Sequence, residues 1–359
     1  MPTNSLLKRL GIDNPIILAP MAGGPSTPEL VAAVSNAGGL GSLGAAYLSP
    51  DQITKAIHRI RELTTRPFAV NLFAGGYDAN PVASPDAMLG LLAEIHQQLG
   101  LPAPTLPRLP ADPFPAQLEV VLFARPAVFS FTFGIPTQDK MDRLKTRGIA
   151  VLGTATTVGE ARELEAAGVD AIVVQGAEAG AHRGTFAEPF ERALIPTLDL
   201  VRESVAAVSI PVIASGGIMD GRDIAAAMAA GASAVALGTA FLTCPESGAS
   251  DSYKQAVLNA KQDTTVITRA FSGRPARGLK NAFIAALEGR EDIILPYPLQ
   301  NALTRPLRTA AAERKESRYL SLWAGQGVAR ARSMPAHDLV NTLLTELERA
   351  TRTDERLSA

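Results

Sequence analysis

Eight short apolar runs recur along this chain, spaced so that one helix fits between most neighbours. They are Pro15–Pro20, Gly39–Leu43, Pro67–Phe73, Ala127–Phe133, Ile149–Gly153, Val169–Gln175, Pro211–Ser215 and Ala234–Gly238. Several are nearly continuous in Val, Ile, Leu, Ala and Phe, as suits parallel strands covered on both faces. The segments between them carry helix punctuation. Thr27-Pro-Glu opens one helix, Gly168 closes the pattern Thr157–Ala167, and Gly231 closes Asp220–Ala230. This follows the preference for Pro just inside a helix start and Gly just past its end. Eight strands alternating with helices predict an α/β fold, a (β/α)8 TIM barrel. A doubly wound open sheet is the alternative, because a strand count does not separate a closed sheet from an open one. At 359 residues, 47% of them hydrophobic, the chain can bury a large core around either sheet.

Two regions break the rhythm. The Pro- and Gly-rich stretch Gly75–Pro115, which includes Pro81 and Pro110, holds one helical pattern, Asp86–Gly100. It reads as an excursion ordered against the barrel. Residues 245–324 follow the eighth run and read as mostly helical, with few β-branched runs. They predict a helical substrate or cap domain inserted after strand eight. Residues 1–244 and 325–359 then make the barrel, closed by the amphipathic pattern Ala336–Ala350.

Other classes are excluded. A formal net charge of −1 gives no electrostatic case for nucleic acid or an anionic membrane. No apolar run reaches the about 20 residues that span a bilayer, and the first ten residues lack the apolar core of a signal peptide; a cytoplasmic protein is expected. The single cysteine, Cys244, excludes an internal disulfide and a Cys-based zinc site, and reads as a small buried residue. No Gly-x-Ser-x-Gly, no P-loop motif and no metal-ligand spacing occurs.

In a parallel barrel, ligands meet the C-terminal strand ends. Those ends here are small or amide-bearing: Ala19-Pro20-Met21, Asn71, Gln175, Ser215-Gly216-Gly217 and Leu237-Gly238-Thr239-Ala240. Gly216-Gly217 leads into a helix near Asp220, and Gly238-Thr239 into a short helical turn. Backbone N–H groups at such turns, with a helix dipole behind them, bind phosphate; the other reading is two tight turns that need Gly for conformation alone. The amides of Asn71 and Gln175 match the edge of a flavin or other heteroaromatic ring, or else tie neighbouring strand ends together. The sixth run continues into Gln175-Gly-Ala-Glu-Ala-Gly-Ala-His-Arg-Gly184. His182 is the candidate general base, with the Arg183 cation expected to keep it neutral. His58, His96 and His337 fall in helical patterns and read as structural.

Four blocks together resemble the nitronate monooxygenase family, formerly the 2-nitropropane dioxygenases. They are Met21–Leu30 with Ser35–Gly41, Gln175–Gly184, Ala214–Gly221 with Gly238–Leu242, and Phe271–Gly278; Trp323–Gly327 also looks like the family's C-terminal stretch. The resemblance implies a (β/α)8 barrel with a helical substrate domain and non-covalent FMN. It implies FMN contacts at Met21, Asn71, Gln175, Gly180, Gly217, Gly238 and Thr239, with Gly216, Leu237 and Ala240 beside them, and His182 as the active-site histidine. It implies oxidation of alkyl nitronates, such as propionate 3-nitronate, or of nitroalkanes, by O2 to a carbonyl compound and nitrite. Arg183, Arg277 and Lys280 are the candidate partners of the substrate carboxylate. One departure is Ala181, where relatives often have Gly, so a positive φ there would strain an alanine. A similar Glu-Ala-Gly-x-His loop serves an FMN- and NAD(P)H-dependent enoyl-[acyl-carrier-protein] reductase, the rival reading. The oligomeric state is not fixed by the sequence.

Overall fold

The computed structural model describes residues 5–77, 84–109 and 111–358; residues 1–4, Pro81 and Pro110 lie outside them. The eight apolar runs become β1 (Ile16–Leu18), β2 (Gly41–Gly44), β3 (Phe68–Phe73), β4 (Val128–Thr132), β5 (Ala150–Ala155), β6 (Ala171–Gln175) and, beyond a two-residue strand β7 (Ala181–His182), β8 (Val212–Ser215) and β9 (Ala234–Leu237). They pair in parallel in the order β1-β9-β8-β6-β5-β4-β3-β2. The Leu18 N–H donates to the Leu40 carbonyl and the Leu40 N–H to the Ile16 carbonyl, which brings the first strand onto the last. The sheet is therefore a barrel and not the open alternative.

Strand alternation sorts the side chains into two cores. In β1, Ile16 and Leu18 pack outward against the helices, while Ile17 points inward; in β3, Phe68, Val70 and Leu72 face the helices and Ala69 the interior. The interior is filled near the strand starts by Val128, Ala150, Ala171, Ile213 and Ala234, and is plugged by Leu6 and Leu10 of the helix Ser5–Leu10 and by Ile12. The same alternation carries Asn71, two residues past Ala69, to the inner side at the far end. The helices start where their caps dictate. Thr27 accepts from the Leu30 N–H with Pro28 inside the first turn, and Ser49 and Asp220 each form a capping box. Helix 28–36 lies so close to β2 that a Cβ on Gly41 would sit 2.0 Å from the Val31 carbonyl oxygen.

The region after β9 differs from the helical expectation. It contains helices Asp251–Leu258, Ala282–Ala286, Leu299–Leu303 and Arg305–Glu313, and also a hairpin of β10 (Thr265–Thr268) and β11 (Ala276–Leu279). β11 then pairs antiparallel with β7, joining Ala276 to His182 and Arg277 to Ala181. The Thr-Val-Ile-Thr of β10 is β-branched but short, and the Ala-Arg-Gly-Leu of β11 carries no strand pattern; it is a strand because it has partners on both sides. The excursion also packs elsewhere than expected. Met88, Leu91, Leu92 and Ile95 of helix Asp86–Gln98 join the apolar cluster of Phe271, Phe283, Leu303 and Leu307, not the barrel core. The closing helix, Ala336–Ser358, does return to the barrel, burying Ala336, Leu339, Val340 and Leu343. No helix among the described residues is long and apolar enough to cross a membrane.

Candidate functional site

A cavity of about 650 Å³ opens at the C-terminal ends of the barrel strands, a size that accommodates a cofactor or drug-sized ligand. Met21, Asn71, Gln175, Gly180, His182, Gly216, Gly217, Leu237, Gly238 and Thr239 all line it. Ala240 does not; its side chain is buried behind the turn.

The two glycine turns follow the adjacent strands β8 and β9. Gly216 (φ 132°) and Gly217 (φ 70°) occupy a backbone region that a side chain would strain. The helix that follows, Gly221–Ala229, does not offer its N-terminus to a ligand. Asp220 accepts from the Arg222 and Asp223 N–H groups, Asp223 from Met219, and Glu346 from Gly221. Protein carboxylates already occupy that helix end, contrary to the expected dipole-backed phosphate. What remains are the N–H groups of Gly217, Thr239 and Ala240, which have no protein acceptor among the described residues. Thr239 Oγ1 accepts from the Gly325 N–H at 2.9 Å, leaving its own hydrogen to donate. At Gly238 a Cβ would come no nearer than 3.6 Å to Ala19 and 3.8 Å to Met21 Sδ, so the missing side chain leaves open space. A set of donors with no acidic side chain aimed among them suits an anion such as phosphate.

The two strand-end amides are partly committed to the fold. Asn71 Nδ2 donates to Ser130 Oγ at 2.9 Å, tying β3 to β4. Gln175 Nε2 donates to the His182 carbonyl at 3.0 Å, and its Oε1 accepts from the Gly184 N–H at 2.8 Å. Gln175 thus brackets His182, the candidate base. Gly180 is required by a close approach: a Cβ there would lie 2.6 Å from both Ala324 C and Gly325 N.

His182 is half-buried at the end of β7, preceded by Ala181 at φ 63°. The methyl of Ala181 therefore sits in the left-handed region that the sequence reading singled out. Nε2 lies 2.8 Å from Ser272 Oγ. The ring is walled by Phe133, Tyr297 and Trp323, with centroids 6.0, 6.2 and 5.6 Å away. Burial, then the Arg274 and Arg308 cations, push its pKa from 6.5 to about 3. The imidazole is therefore neutral at pH 7, as expected, but Arg183 is not the cause. The Arg183 side chain is 1% exposed and donates to the carbonyls of Gly176, Gln175 and Ala193. Neighbours on a strand point to opposite faces.

None of the three cations expected to meet a substrate carboxylate lines the cavity. Arg183 faces backbone carbonyls, Arg277 donates to the Ala177 carbonyl, and Lys280 pairs with Glu288 on the exterior. Arg305 and Arg308 stand there instead. Arg308 holds Asn301 through its carbonyl and Oδ1, while its Nε is buried with no hydrogen-bond partner among the described residues. Beside it the Tyr47 and Tyr297 hydroxyls are buried and make no hydrogen bond of ordinary geometry among the described residues. Arg274 stacks on Phe133, 3.8 Å from the ring centroid, and donates to the Arg183 and Thr185 carbonyls.

Sequence reasoning missed Tyr47, Ser272, Arg274, Tyr297, Arg305 and Arg308. Ser272 and Arg274 lay inside a block that it quoted; the others carry no local signal. Of the remaining histidines, His96 Nδ1 bonds the Pro102 carbonyl at 2.7 Å, and His58 and His337 are exposed on helices. No cluster able to hold a metal occurs among the described residues. Cys244 is buried, and burial pushes its thiol up to about 12, so it is not a nucleophile.

Residues 4–346 match the family model described as nitronate monooxygenase. A protein of Staphylococcus aureus (strain N315) named probable nitronate monooxygenase is 41% identical over 345 residues, spanning 96% of this chain and 97% of the relative. The crystal structure of a nitroalkane oxidase from Streptomyces ansochromogenes superposes with a TM-score of 0.90 at 42% identity, covering 97% of this chain and 99% of that one. FabK from Thermotoga maritima superposes at 0.76 with 30% identity, covering 98% of each chain.

The neutrality of His182 has a consequence for stability. Between 6.5 and about 3 the unfolded chain binds a proton at this residue that the folded chain refuses. The contribution is full above the unfolded value and is lost as pH falls toward the folded one. In His182→Asn, Tm should therefore fall less steeply with acidification over this interval than in the parent. Parallel curves would show that His182 is not held neutral.

Proposed function

The chain belongs to the nitronate monooxygenase family, and from that premise we propose that it oxidises alkyl nitronates with O2, releasing a carbonyl compound and nitrite. It is a flavin-dependent oxidoreductase acting on nitro compounds, and its cofactor is FMN. The observation that carries the finer reading is a single cavity that joins the free N–H groups of two glycine turns to a neutral histidine and a buried guanidinium.

The donor set fits FMN. Gly216, Gly217, Gly238 and Thr239, with Leu237 and the Ala240 N–H beside them, would hold the phosphate. Met21, Asn71, Gln175 and Gly180 would border the ring. FMN supplies the electron chemistry, while the protein supplies position, charge and exclusion of water. With a neutral nitroalkane, His182 takes the α-proton; its neutral form is the one required. With a nitronate that proton is already gone, and His182 orients the anion. Arg308 and Arg305 answer a second anionic group, so a carboxylate-bearing nitronate such as propionate 3-nitronate is the preferred substrate.

Mixed anaerobically with propionate 3-nitronate, the yellow holoenzyme should lose its oxidised-flavin absorbance and should keep it with NADPH. Rapid bleaching by NADPH with no response to nitronate would establish the reductase reading instead. Arg308→Met should raise KM for propionate 3-nitronate about ten- to a hundredfold, leaving a simple alkyl nitronate without a carboxylate within about twofold; equal effects on both would remove Arg308 from carboxylate recognition. The methyl of Gly238→Ala meets no protein atom closer than 3.6 Å. This variant should keep the Tm of the apoprotein yet weaken FMN binding about tenfold or more in a titration. Unchanged FMN affinity would move the phosphate elsewhere.

A further inference from the structure

We infer that Ser272 fixes the tautomer of His182, so that Nε2 carries the ring proton and Nδ1 is the atom that accepts one from substrate. The inference rests on the function proposed above for the word substrate, and on hydrogen-bond accounting alone for the tautomer.

Ser272 is 1% exposed in the loop between β10 and β11. Its hydroxyl has one hydrogen and two lone pairs. Three groups surround it: the Arg274 N–H at 3.3 Å, the Arg274 carbonyl at 3.1 Å and His182 Nε2 at 2.8 Å. The Arg274 N–H takes one lone pair. The hydrogen then goes either to the Arg274 carbonyl or to Nε2. Given to the carbonyl, it leaves the second lone pair for an Nε2–H, and all four groups are satisfied. Given to Nε2, it leaves the Arg274 carbonyl with no donor among the described residues. Partly buried carbonyls are rarely left so. The first arrangement wins by one complete hydrogen bond.

With Nε2–H committed to Ser272, the free lone pair of the neutral ring is on Nδ1. That atom has no protein partner among the described residues and is not sealed in, and the ring lines the cavity. Proton transfer from a nitroalkane then breaks the α C–H bond, leaves its electron pair on the nitronate and forms Nδ1–H. The resulting imidazolium donates at both nitrogens, one to Ser272 and one to the anion just made. Ser272 does not touch substrate in this account; it is a positioning residue. The side chain that points Nδ1 at the cavity comes from a hairpin ninety positions further along the chain.

The test is ¹⁵N NMR of the holoenzyme labelled at its four histidines, with the His182 signals assigned from their loss in His182→Asn. The expected result is a protonated Nε2 and an unprotonated Nδ1 at neutral pH. An Nδ1–H tautomer overturns the inference, whatever the activity. In Ser272→Ala the preference should collapse, and kcat/KM for a neutral nitroalkane should fall about tenfold or more, with a smaller loss for the preformed nitronate. Ser272→Thr, which keeps the hydroxyl, should restore both. An unchanged tautomer in Ser272→Ala, or equal losses with the two substrates, removes Ser272 from this role. Should Ser272→Ala fail to fold, the parent and Ser272→Thr spectra decide. Absence of nitronate oxidation alongside the Nε2–H tautomer refutes the proposed function alone.

Discussion

The antiparallel pairing of Ala181–His182 with Ala276–Arg277 is the contact on which this site depends. A long loop after β6 would otherwise carry the histidine of the cavity on unpaired backbone. The ladder continues one residue further, with the Arg183 N–H on the Pro275 carbonyl. Below the strand, the Arg183 guanidinium grips three carbonyls of its own loop, and the Gln175 amide holds the carbonyl of His182 and the N–H of Gly184. At the last rung of the ladder, a cation that faces the protein does structural work. One residue earlier on the same ladder, the neutral ring of His182 lines the cavity.

Charge is partitioned by the same logic. The two buried or half-buried glutamates near the site face backbone donors rather than the guanidinium groups. Glu160 accepts from Thr156, Phe186 and Ala187, and Glu178 from Thr197. Arg274 and Arg308 form no ion pair among the described residues, and burial holds both near 10. An uncompensated guanidinium is costly to bury. Here two of them stand around a histidine, where their field favours anions and disfavours imidazolium. Glu313, at the end of helix Arg305–Glu313, is the one carboxylate along the cavity wall among the described residues.

The barrel was legible because parallel strands covered on both faces print as apolar runs, and strand ends can be read off those runs directly. That is why Met21, Asn71, Gln175 and the two glycine turns all reached the cavity. The departure at Ala181 was legible too, since a methyl where Gly is usual asks about φ, and φ is 63° there. Proximity in sequence misled where alternation rules. Arg183 adjoins His182 in the chain yet turns to the opposite face, while Arg274 and Arg308 arrive from far away and add their charge to the burial that keeps the histidine neutral. The Gly221–Ala229 helix misled in another way, because Asp220 and Asp223 cap it from within. A sequence shows that a helix starts there, and the same acidic residues that announce the start close it to a ligand. The hairpin was hidden because β11 owes its strand character to its neighbours and not to its own residues.

Helix Asp86–Gln98 branches off after β3 but shares its apolar core with segments that follow β9. The structure above the barrel mouth is thus entered by the chain twice, after β3 and after β9, and is joined again to the loop that follows β6 through the pairing of β11 with β7. A door needs its crossings on one axis. Anchors spread around the mouth make a collar instead, one that resists swinging as a unit. Entry to His182 then runs between two sets of walls, the strand ends of the barrel on one side and this collar on the other, and both line the one cavity.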